Sequence, residues 1–292
     1  MGKIEKKVDP FQYYLETNSL RQLNVKLDKQ FLINHAYTSV LSLIEIASGI
    51  VDEDSFRIRK SVLKNVFDSK ITICLALPET LFFKSFGYDY DDHNLINGIG
   101  RVFIQIIKSD TFQDFKVNIK KSKDYDIYEF ILYYDQHGAS LFKNLFNDQI
   151  NKARKNSSFK ELIKSFKSRW SCTDVRVASE FYNGLIEYHA ETLKNSKNEL
   201  ISNDRRTKED IIKSYDHSID TFLVITALYC DQHISFSNIP GKNDFFDLGH
   251  LTYLDNVNKI IITDDKLLHK LLNSSFSNMV MTTRDFLKKN SI

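Results

Sequence analysis

Acidic residues that follow predicted strands are the part of this sequence most able to do chemistry. Glu16 comes directly after an apolar segment near the start of the chain, and Asp265 follows a β-branched segment near its end. Because the carboxyl ends of parallel strands share one edge of a sheet, both acids are predicted where open parallel sheets bind ligands. Glu45 and Asp247 lie within apolar helical segments, where an unpaired carboxylate is costly. These four residues are therefore candidates for one site.

The chemistry open to such a cluster depends on a cation. Three or four carboxylates that converge repel one another unless a positive ion neutralises them. Mg²⁺ and Mn²⁺ are hard cations that prefer carboxylate oxygen and water as ligands. An ion of this kind neutralises an anionic phosphodiester, activates the attacking water and stabilises the leaving oxygen. If the four acids converge, they predict a bound divalent cation, and such an ion is suited to chemistry on an anionic phosphodiester.

The alternation of strands and helices at both ends of the chain predicts the sheet that would hold these acids. Strands are predicted at residues 11–15, 37–39, 259–262 and 279–281, and residues 71–77 are predicted as a strand or part of a helix ended by Pro78. Helices are predicted at residues 19–27, 40–47, 54–66, 243–255, 266–272 and from 283, with Ser39 as the N-cap of the second.

The middle of the chain differs from its ends in its predicted secondary structure. Residues 81–239 are predicted to be mostly helical, with two of the helices at 175–197 and 207–231. We therefore predict an α/β fold whose core comes from both chain ends, residues 1–80 and 240–292. This core would contain a short parallel sheet flanked by helices, and residues 81–239 would form a large helical insertion.

Composition excludes several classes of protein. The chain has 292 residues, 42% of them hydrophobic and 27% charged, which is typical of a globular protein. The net charge of +2 does not by itself call for nucleic acid. Three cysteines without a CxxC pair argue against structural zinc or disulfides and fit a reducing cytoplasm. The longest apolar run, residues 222–230, is too short to span a bilayer, so no membrane association is expected.

Signature motifs of other enzyme classes are missing from the sequence. Neither G-x-x-x-x-G-K-[ST] nor G-x-G-x-x-G occurs, so nucleotide hydrolysis is not expected. The nucleophile motif G-x-S-x-G is absent as well, and none of the cysteines lies in a recognisable nucleophile context. The acidic residues therefore remain the candidate chemistry.

Three stretches resemble the four conserved blocks of the PIN-like nuclease family, in the same order. YYLETNSLRQL resembles the opening block, an apolar strand followed by D-T-N or D-x-S. YTSVLSLIEI resembles the second block, a Ser or Thr before a helix that carries a Glu. NDFFDLGHLTYLDNVNKIIITDDKLL resembles the third and fourth blocks, in which an Asp opens a helix and a strand ending in T-x-D follows. The resemblance covers roughly residues 11–80 and 240–290.

The resemblance implies a metal-dependent endonuclease that acts on nucleic acid, with RNA as the expected substrate. It places Mg²⁺ or Mn²⁺ ligands at Glu16, Glu45, Asp247 and Asp265, with Asp264 as a reserve ligand and Asn18 and Thr263 as supporting residues. Glu16 stands where the family usually has Asp, and its side chain is one methylene longer. The long middle segment suggests a specialised member of the family, such as a toxin-like or phage-defence effector. The helices of this segment would contact a regulatory protein or a second copy of the chain.

Each acid also has an ordinary structural interpretation. Glu16 could be an acid at a helix N-terminus, and Glu45 could face solvent or pair with an arginine. Asp247 could be a first-turn acid, while Asp264 and Asp265 could cap the next helix. His250, one turn after Asp247, could bond the phosphate or tune a metal ligand, although a satisfied core or surface histidine is the more common case. Asp244 is closer to a capping acid than to a ligand.

A basic run between residues 143 and 169 offers a surface for a phosphate backbone. This interval contains eight basic residues and only two acidic ones, Asp148 and Glu161. The candidate contacts are Lys152, Arg154, Lys155, Lys164, Lys167 and Arg169. A solvated helix face is the alternative interpretation of such a run.

Two other functions stay open beside the endoribonuclease. One is an inactive PIN-like subunit that binds a protein or nucleic acid, which Glu16 in place of Asp favours. The other is a DNA-cleaving or flap-type nuclease, since related folds cut DNA.

Overall fold

The strands of the described chain form one parallel sheet. The computed structural model describes residues 10–22, 29–134, 136, 138, 140, 175–195, 204–236, 241, 243–255 and 258–290. Within them the strands are β1 (Gln12–Leu15), β2 (Ala36–Ser39), β3 (Thr72–Cys74), β4 (Lys259–Ile262) and β5 (Val280–Met281). Their order is β3-β2-β1-β4-β5, and every neighbouring pair is parallel. The predicted α/β class with a short parallel sheet is confirmed.

The centre of the sheet is a topological switch point. From β1 the chain passes to β2 and β3 on one side, whereas β4 and β5 lie on the other side of β1. Tyr13 is paired with Ala36 of β2 and Ile260 of β4, and Leu15 is paired with Ile262. In open α/β sheets a crevice forms beyond the carboxyl ends of strands at such a point. Here the switch point is where β1 and β4 end.

Helices surround the sheet and make up the middle of the chain. The first group is α1 (Thr17–Gln22), α2 (Lys29–His35), α3 (Val40–Ser48), α4 (Glu53–Ser69), α5 (Pro78–Ser85), α6 (His93–Lys108), α7 (Phe112–Lys121) and α8 (125–134). The second is α9 (Val175–Lys194), α10 (Lys208–Lys213), α11 (Asp220–Phe236), α12 (Asp244–Gly249), α13 (Lys266–Ser275) and α14 (Thr283–Asn290). Two 3-10 helices, His250–Tyr253 and Ser277–Met279, follow α12 and α13. No helix in the described ranges is long and apolar enough to cross a bilayer.

The main core lies around the sheet because its central strands are covered on both faces. Tyr13, Tyr14 and Leu15 of β1 are fully buried in succession, which is the pattern of a strand buried on both faces. Helices α6, α7 and α8 contribute to this same core. A second cluster joins α9, α10 and the residues after α5, and consists of Phe86, Tyr88, Ile186, Ala190, Leu193, Ile211, Tyr215, Ile219 and Leu223.

Most predicted elements appear close to their predicted positions, and the differences have local causes. Pro78 begins α5 instead of only ending the strand before it, because a proline at the first helical position loses no hydrogen bond. The predicted helix over 207–231 is divided into α10 and α11, and His217 lies between them with a positive φ of 64°. The predicted helix over 243–255 is shorter, because the chain tightens into a 3-10 helix at His250.

The division into a two-ended core and an insertion stays a prediction. All strands of the described residues lie within 12–74 and 259–281, and the described residues from 78 to 236 form only helices and their connections. Because α6 to α8 share the main core with the sheet, part of the helical middle is packed directly onto the strands.

Candidate functional site

The end of β1 places Glu16 at the switch point. Glu16 is only 5% exposed, and its Oε2 accepts a hydrogen bond of 2.9 Å from the backbone N–H of Asn18. Its other oxygen, Oε1, is buried and has no hydrogen-bond partner. Burial raises the pKa of Glu16, opposed by the nearby His250. The predicted support from Asn18 therefore comes from its backbone, since the side chain of Asn18 belongs to an exposed residue.

Helix α3 brings Glu45 to the same place. Ser39 ends β2 and caps α3, with its Oγ accepting a hydrogen bond of 3.3 Å from the backbone of Ser42. Glu45 is half-buried, and its Oε2 accepts a hydrogen bond from the hydroxyl of Thr17. The same oxygen lies 2.8 Å from Nε2 of His250. Glu45 therefore faces the end of β1 and neither points to open solvent nor stands alone.

An arginine contacts Glu45 through its backbone. Nη1 of Arg59 donates to the carbonyl oxygens of Glu45 at 3.1 Å and of Ile46 at 2.9 Å, which closes the end of α3. Burial and the neighbouring Arg21 lower the pKa of Arg59. The ionisable partner of the Glu45 carboxylate is His250 and not an arginine, which was the alternative interpretation of Glu45.

His250 connects the two ends of the chain. It is 1% exposed, and its Nδ1 lies 2.7 Å from the hydroxyl of Tyr14 while Nε2 contacts Glu45. Burial acts to lower the pKa of His250, but Glu45, Glu16 and Asp247 outweigh burial and raise it. His250 is thus a buried histidine with both nitrogens bonded, and one of its partners is a predicted metal ligand.

Asp247 reports on the electrostatics of the whole cluster. Burial raises its pKa to about 8, and the negative charges of Asp265, Glu45 and Glu16 act in the same direction. His250 opposes this shift. The structure therefore places Asp247 of α12 close enough to Glu16, Glu45 and Asp265 for their charges to act on it.

The end of β4 positions Asp265 through two local hydrogen bonds. Thr263 is fully buried, and its Oγ1 accepts a hydrogen bond of 3.0 Å from the backbone N–H of Asp265. Oδ1 of Asp265 accepts from the backbone N–H of Leu268 at 2.8 Å, which caps α13. Thr263 therefore holds the backbone of Asp265, and Asp265 caps α13, while the supporting role of Thr263 and the ligand role of Asp265 stay predictions.

Asp264 has a different set of partners. Its Oδ2 accepts from Gln22 at 2.9 Å, and its Oδ1 accepts from the backbone N–H of Thr283 at 3.1 Å. Asp264 is exposed and joins α1 to the start of α14. Its role as a reserve ligand stays a prediction. Asp244 accepts hydrogen bonds from Tyr229 and from the backbone of Gly241, in keeping with a structural acid.

Four residues of the network were not predicted from the sequence. The hydroxyl of Tyr14 lies 2.7 Å from Ser39 and 3.3 Å from Ser42, and Thr17 bonds Glu45. One signal was present for Tyr14, because residues two apart in a strand share a face and Tyr14 lies two positions before Glu16. Burial raises the pKa of Tyr14 well above its ordinary value, so its hydroxyl stays protonated.

The residues fit a divalent cation in donor chemistry. Mg²⁺ and Mn²⁺ take carboxylate oxygens, and Oε1 of Glu16 is a buried carboxylate oxygen without a partner. Burial and, after it, the charges of the neighbouring acids oppose ionisation of Asp247, and a bound cation would favour the ionised form. However, no group of three or more His, Cys, Asp or Glu side chains within the described residues is already arranged to hold a metal ion. Binding would require these side chains to draw together.

The predicted nucleic-acid contacts on the basic run lie outside the described residues. These are Lys152, Arg154, Lys155, Lys164, Lys167 and Arg169. The case for a site therefore rests on the acidic cluster and on the four sequence blocks. No family model, no curated protein and no solved structure matches this chain.

Proposed function

We propose that this chain is a metal-dependent, PIN-like endonuclease that hydrolyses phosphodiester bonds, with RNA as its substrate. One observation carries the proposal: Oε1 of Glu16 is buried without a hydrogen-bond partner at the end of β1, and the charges of Glu16, Glu45 and Asp265 all act on Asp247. Collecting carboxylates in this way is unfavourable unless a cation compensates them. The same residues are those that the family resemblance assigns as ligands, although the resemblance and the electrostatics are independent observations.

The acids would share the work of holding the ion. Glu16 would contribute its unpaired Oε1, and Glu45, Asp247 and Asp265 would contribute carboxylate oxygens from the surrounding segments. Bound Mg²⁺ or Mn²⁺ supplies neutralisation of the phosphodiester charge and an activated water. The rest of the task falls to the protein. Thr17 and His250 hold Oε2 of Glu45 in one orientation, and Thr263 fixes the backbone of Asp265.

RNA is proposed over DNA because of the family resemblance, and the polymer is one of the variables of the test. Purified protein is incubated with labelled RNA, transfer RNA and single-stranded DNA in Mn²⁺, Mg²⁺ or EDTA. We expect cleavage of RNA that requires metal and is inhibited by EDTA. Preferential cutting of DNA would support the proposed phosphodiesterase activity but would mean that the substrate is DNA and not RNA.

The informative variant in that assay is Asp265→Asn. An asparagine keeps an oxygen that can accept from Leu268 and cap α13, but it removes the charge. Asp264→Asn is the matched control, since Asp264 is exposed, accepts from Gln22 and Thr283, and is not among the charges that act on Asp247. We expect Asp265→Asn to lose at least about a hundredfold in rate, and Asp264→Asn to stay close to the unmodified protein. Equal rates for all three proteins would contradict the proposal.

A second candidate is a PIN-like subunit that binds nucleic acid or protein without cutting. Two observations favour it: the described residues contain no ready metal group, and Glu16 stands where the family usually has Asp. The assay separates the two functions. Retained binding of RNA, measured by fluorescence anisotropy, with no cleavage in any metal would favour the binding subunit.

A further inference from the structure

A half-open cavity of about 740 Å³ lies between α5, α8, α9, α11 and α12, and no step of the proposed hydrolysis uses it. Its walls carry Phe82, Phe83, Phe130, Leu185, Phe222 and Phe245. Each of these side chains is only half-buried, although burying a large apolar side chain is favourable. Cavities that bind small molecules have volumes of roughly 300–1,000 Å³ and largely apolar walls. The size and the lining both match that class.

One carboxyl group and one imidazole line the cavity, and the pKa of each is shifted toward the neutral form. Burial raises the pKa of Glu79 and lowers the pKa of His189 to about 4. The hydroxyl of Tyr134 donates to the Glu79 carboxylate, at 2.9 and 2.8 Å from its two oxygens. Glu79 nevertheless keeps accessible surface, as expected for a group that faces an enclosed space. These surroundings disfavour a charged occupant.

His189 offers the polar contact that an occupant could use. Its ring packs edge-on against Phe82, with 4.6 Å between the ring centroids. Neither ring nitrogen has a hydrogen-bond partner among the described residues. A neutral imidazole presents one donor and one acceptor. An unused hydrogen-bonding pair in an aromatic cavity is the arrangement that gives orientation to an apolar ligand.

We propose that this cavity binds an uncharged, largely apolar small molecule that carries an aromatic ring and one hydrogen-bonding group, with that group at His189. The aromatic walls would stack on the ring, and the apolar lining together with the carboxyl group of Glu79 would disfavour an anion. The proposal is independent of phosphodiester hydrolysis, because Glu16, Glu45, Asp247 and Asp265 are not in the cavity wall. Leu248 and Gly249 are in the wall, so the occupant lies against the segment between Asp247 and His250.

The test uses 2-naphthol, an aromatic alcohol that is uncharged at pH 7, and isothermal titration calorimetry on the full chain. We expect saturable binding of one 2-naphthol per chain. The anion 2-naphthoate, which has a ring system of the same size, is expected to bind at least about tenfold more weakly because its charge would be desolvated. The absence of saturable 2-naphthol binding overturns the proposal, and so does equal binding of the two compounds.

Variants locate the binding in this cavity. Thr192→Trp places a large ring into the cavity from an exposed position of α9. Because this ring fills space that 2-naphthol would occupy, we expect the affinity for 2-naphthol to fall at least about tenfold. Glu191→Trp, on the same helix but outside the wall, is the matched control and keeps full affinity. His189→Phe retains an aromatic wall and loses the hydrogen bond, so we expect about three- to tenfold weaker binding. Circular dichroism checks that each variant is folded. Unchanged affinity of both Thr192→Trp and His189→Phe would mean that 2-naphthol binds outside this cavity, and it would overturn the proposal.

Discussion

The imidazole of His250 lies 2.8 Å from the carboxylate of Glu45, although 205 positions separate the two residues in the chain. The other ring nitrogen meets the hydroxyl of Tyr14 at 2.7 Å. One side chain therefore joins β1, α3 and the 3-10 helix after α12 at the edge of the sheet. The two ends of the chain are held together by polar contacts as well as by the core, and the contacts converge on a predicted metal ligand.

Removing the hydroxyl of Tyr14 tests this connection. Tyr14→Phe leaves Nδ1 of His250 buried without its partner, which we expect to cost about 1–3 kcal/mol in the free energy of unfolding. Urea unfolding at pH 7 measures the change. Because Tyr14 and His250 act in one network, the effects of Tyr14→Phe and His250→Gln should not add in the double variant.

Tyr13→Phe is the matched control for that experiment. Tyr13 is the neighbouring tyrosine of β1, and its hydroxyl contacts Lys289 at 2.6 Å instead of His250. We expect the effects of Tyr13→Phe and His250→Gln to add. Additive behaviour of Tyr14→Phe with His250→Gln would show that the two groups are not energetically coupled.

Neutralising Asp247 should stabilise the metal-free protein. Burial and the negative charges of Asp265, Glu45 and Glu16 oppose the ionised form of Asp247. Because a pKa of about 8 means that folding at pH 7 must protonate most of Asp247, Asp247→Asn removes this cost at similar volume, and we expect Tm in EDTA at pH 7 to rise by roughly 2–4 °C. Differential scanning calorimetry gives the value. A fall in Tm would mean that the carboxylate has a stabilising partner, and the repulsion argument would be wrong.

Two glycines in different surroundings, Gly49 after α3 and Gly100 in α6, allow the packing around Arg59 to be tested. A Cβ at Gly49 would lie 2.1 Å from the guanidinium carbon of Arg59, the group that closes the end of α3. We expect Gly49→Ala to displace this group and to destabilise the protein by about 1–3 kcal/mol. Gly100→Ala in α6 is the control: a Cβ there meets nothing within 4 Å, and alanine should stabilise the helix by about 0.5–1 kcal/mol. Chemical unfolding that ranks the two variants in the opposite order would contradict the packing described at Gly49.

His189 predicts a pH dependence of stability. Its pKa is lowered from 6.5 to about 4, so between these values the unfolded chain binds a proton that the folded chain does not. Stability is therefore lost as the pH falls from about 6.5 toward 4, and the loss levels off below 4. His189→Phe should reduce the fall in unfolding free energy between pH 7 and pH 4 by up to about 2 kcal/mol, an amount discounted for the accessible part of the ring. Identical pH profiles for the two proteins would show that His189 titrates normally.

The elements that the sequence predicted well are those with local causes. Ser39 caps α3 because its hydroxyl reaches a backbone only three positions away, and Asp265 caps α13 in the same manner. The apolar strand before Glu16 and the β-branched strand before Thr263 needed no distant information. The rule that strands of one parallel sheet end on a common edge predicted that Glu16 and Asp265 lie at the same edge, but it did not predict that β1 and β4 are neighbours.

The parts that were missed depend on distant contacts. Tyr14 is an ordinary buried aromatic in the sequence pattern, and its partner His250 lies 236 positions away. Its role in the network is visible only after the two chain ends meet. The cavity is a similar case, because it is enclosed by helices whose order in the sequence gives no indication of their packing. The 3-10 helix at His250 was predicted as a regular helix because the local pattern of apolar residues fits both.

The central claim is that the acids at the ends of β1 and β4 bind a divalent cation, and a Mn²⁺ titration followed by electron paramagnetic resonance tests it without any choice of substrate. The signal of free Mn²⁺ counts the ions bound by the unmodified protein, Asp247→Asn and Asp264→Asn. We predict saturable binding of Mn²⁺ to the unmodified protein and to Asp264→Asn, and at least about a tenfold loss of affinity in Asp247→Asn. Absence of binding to the unmodified protein, or equal binding to Asp247→Asn, would contradict the metal site and with it the proposed hydrolysis.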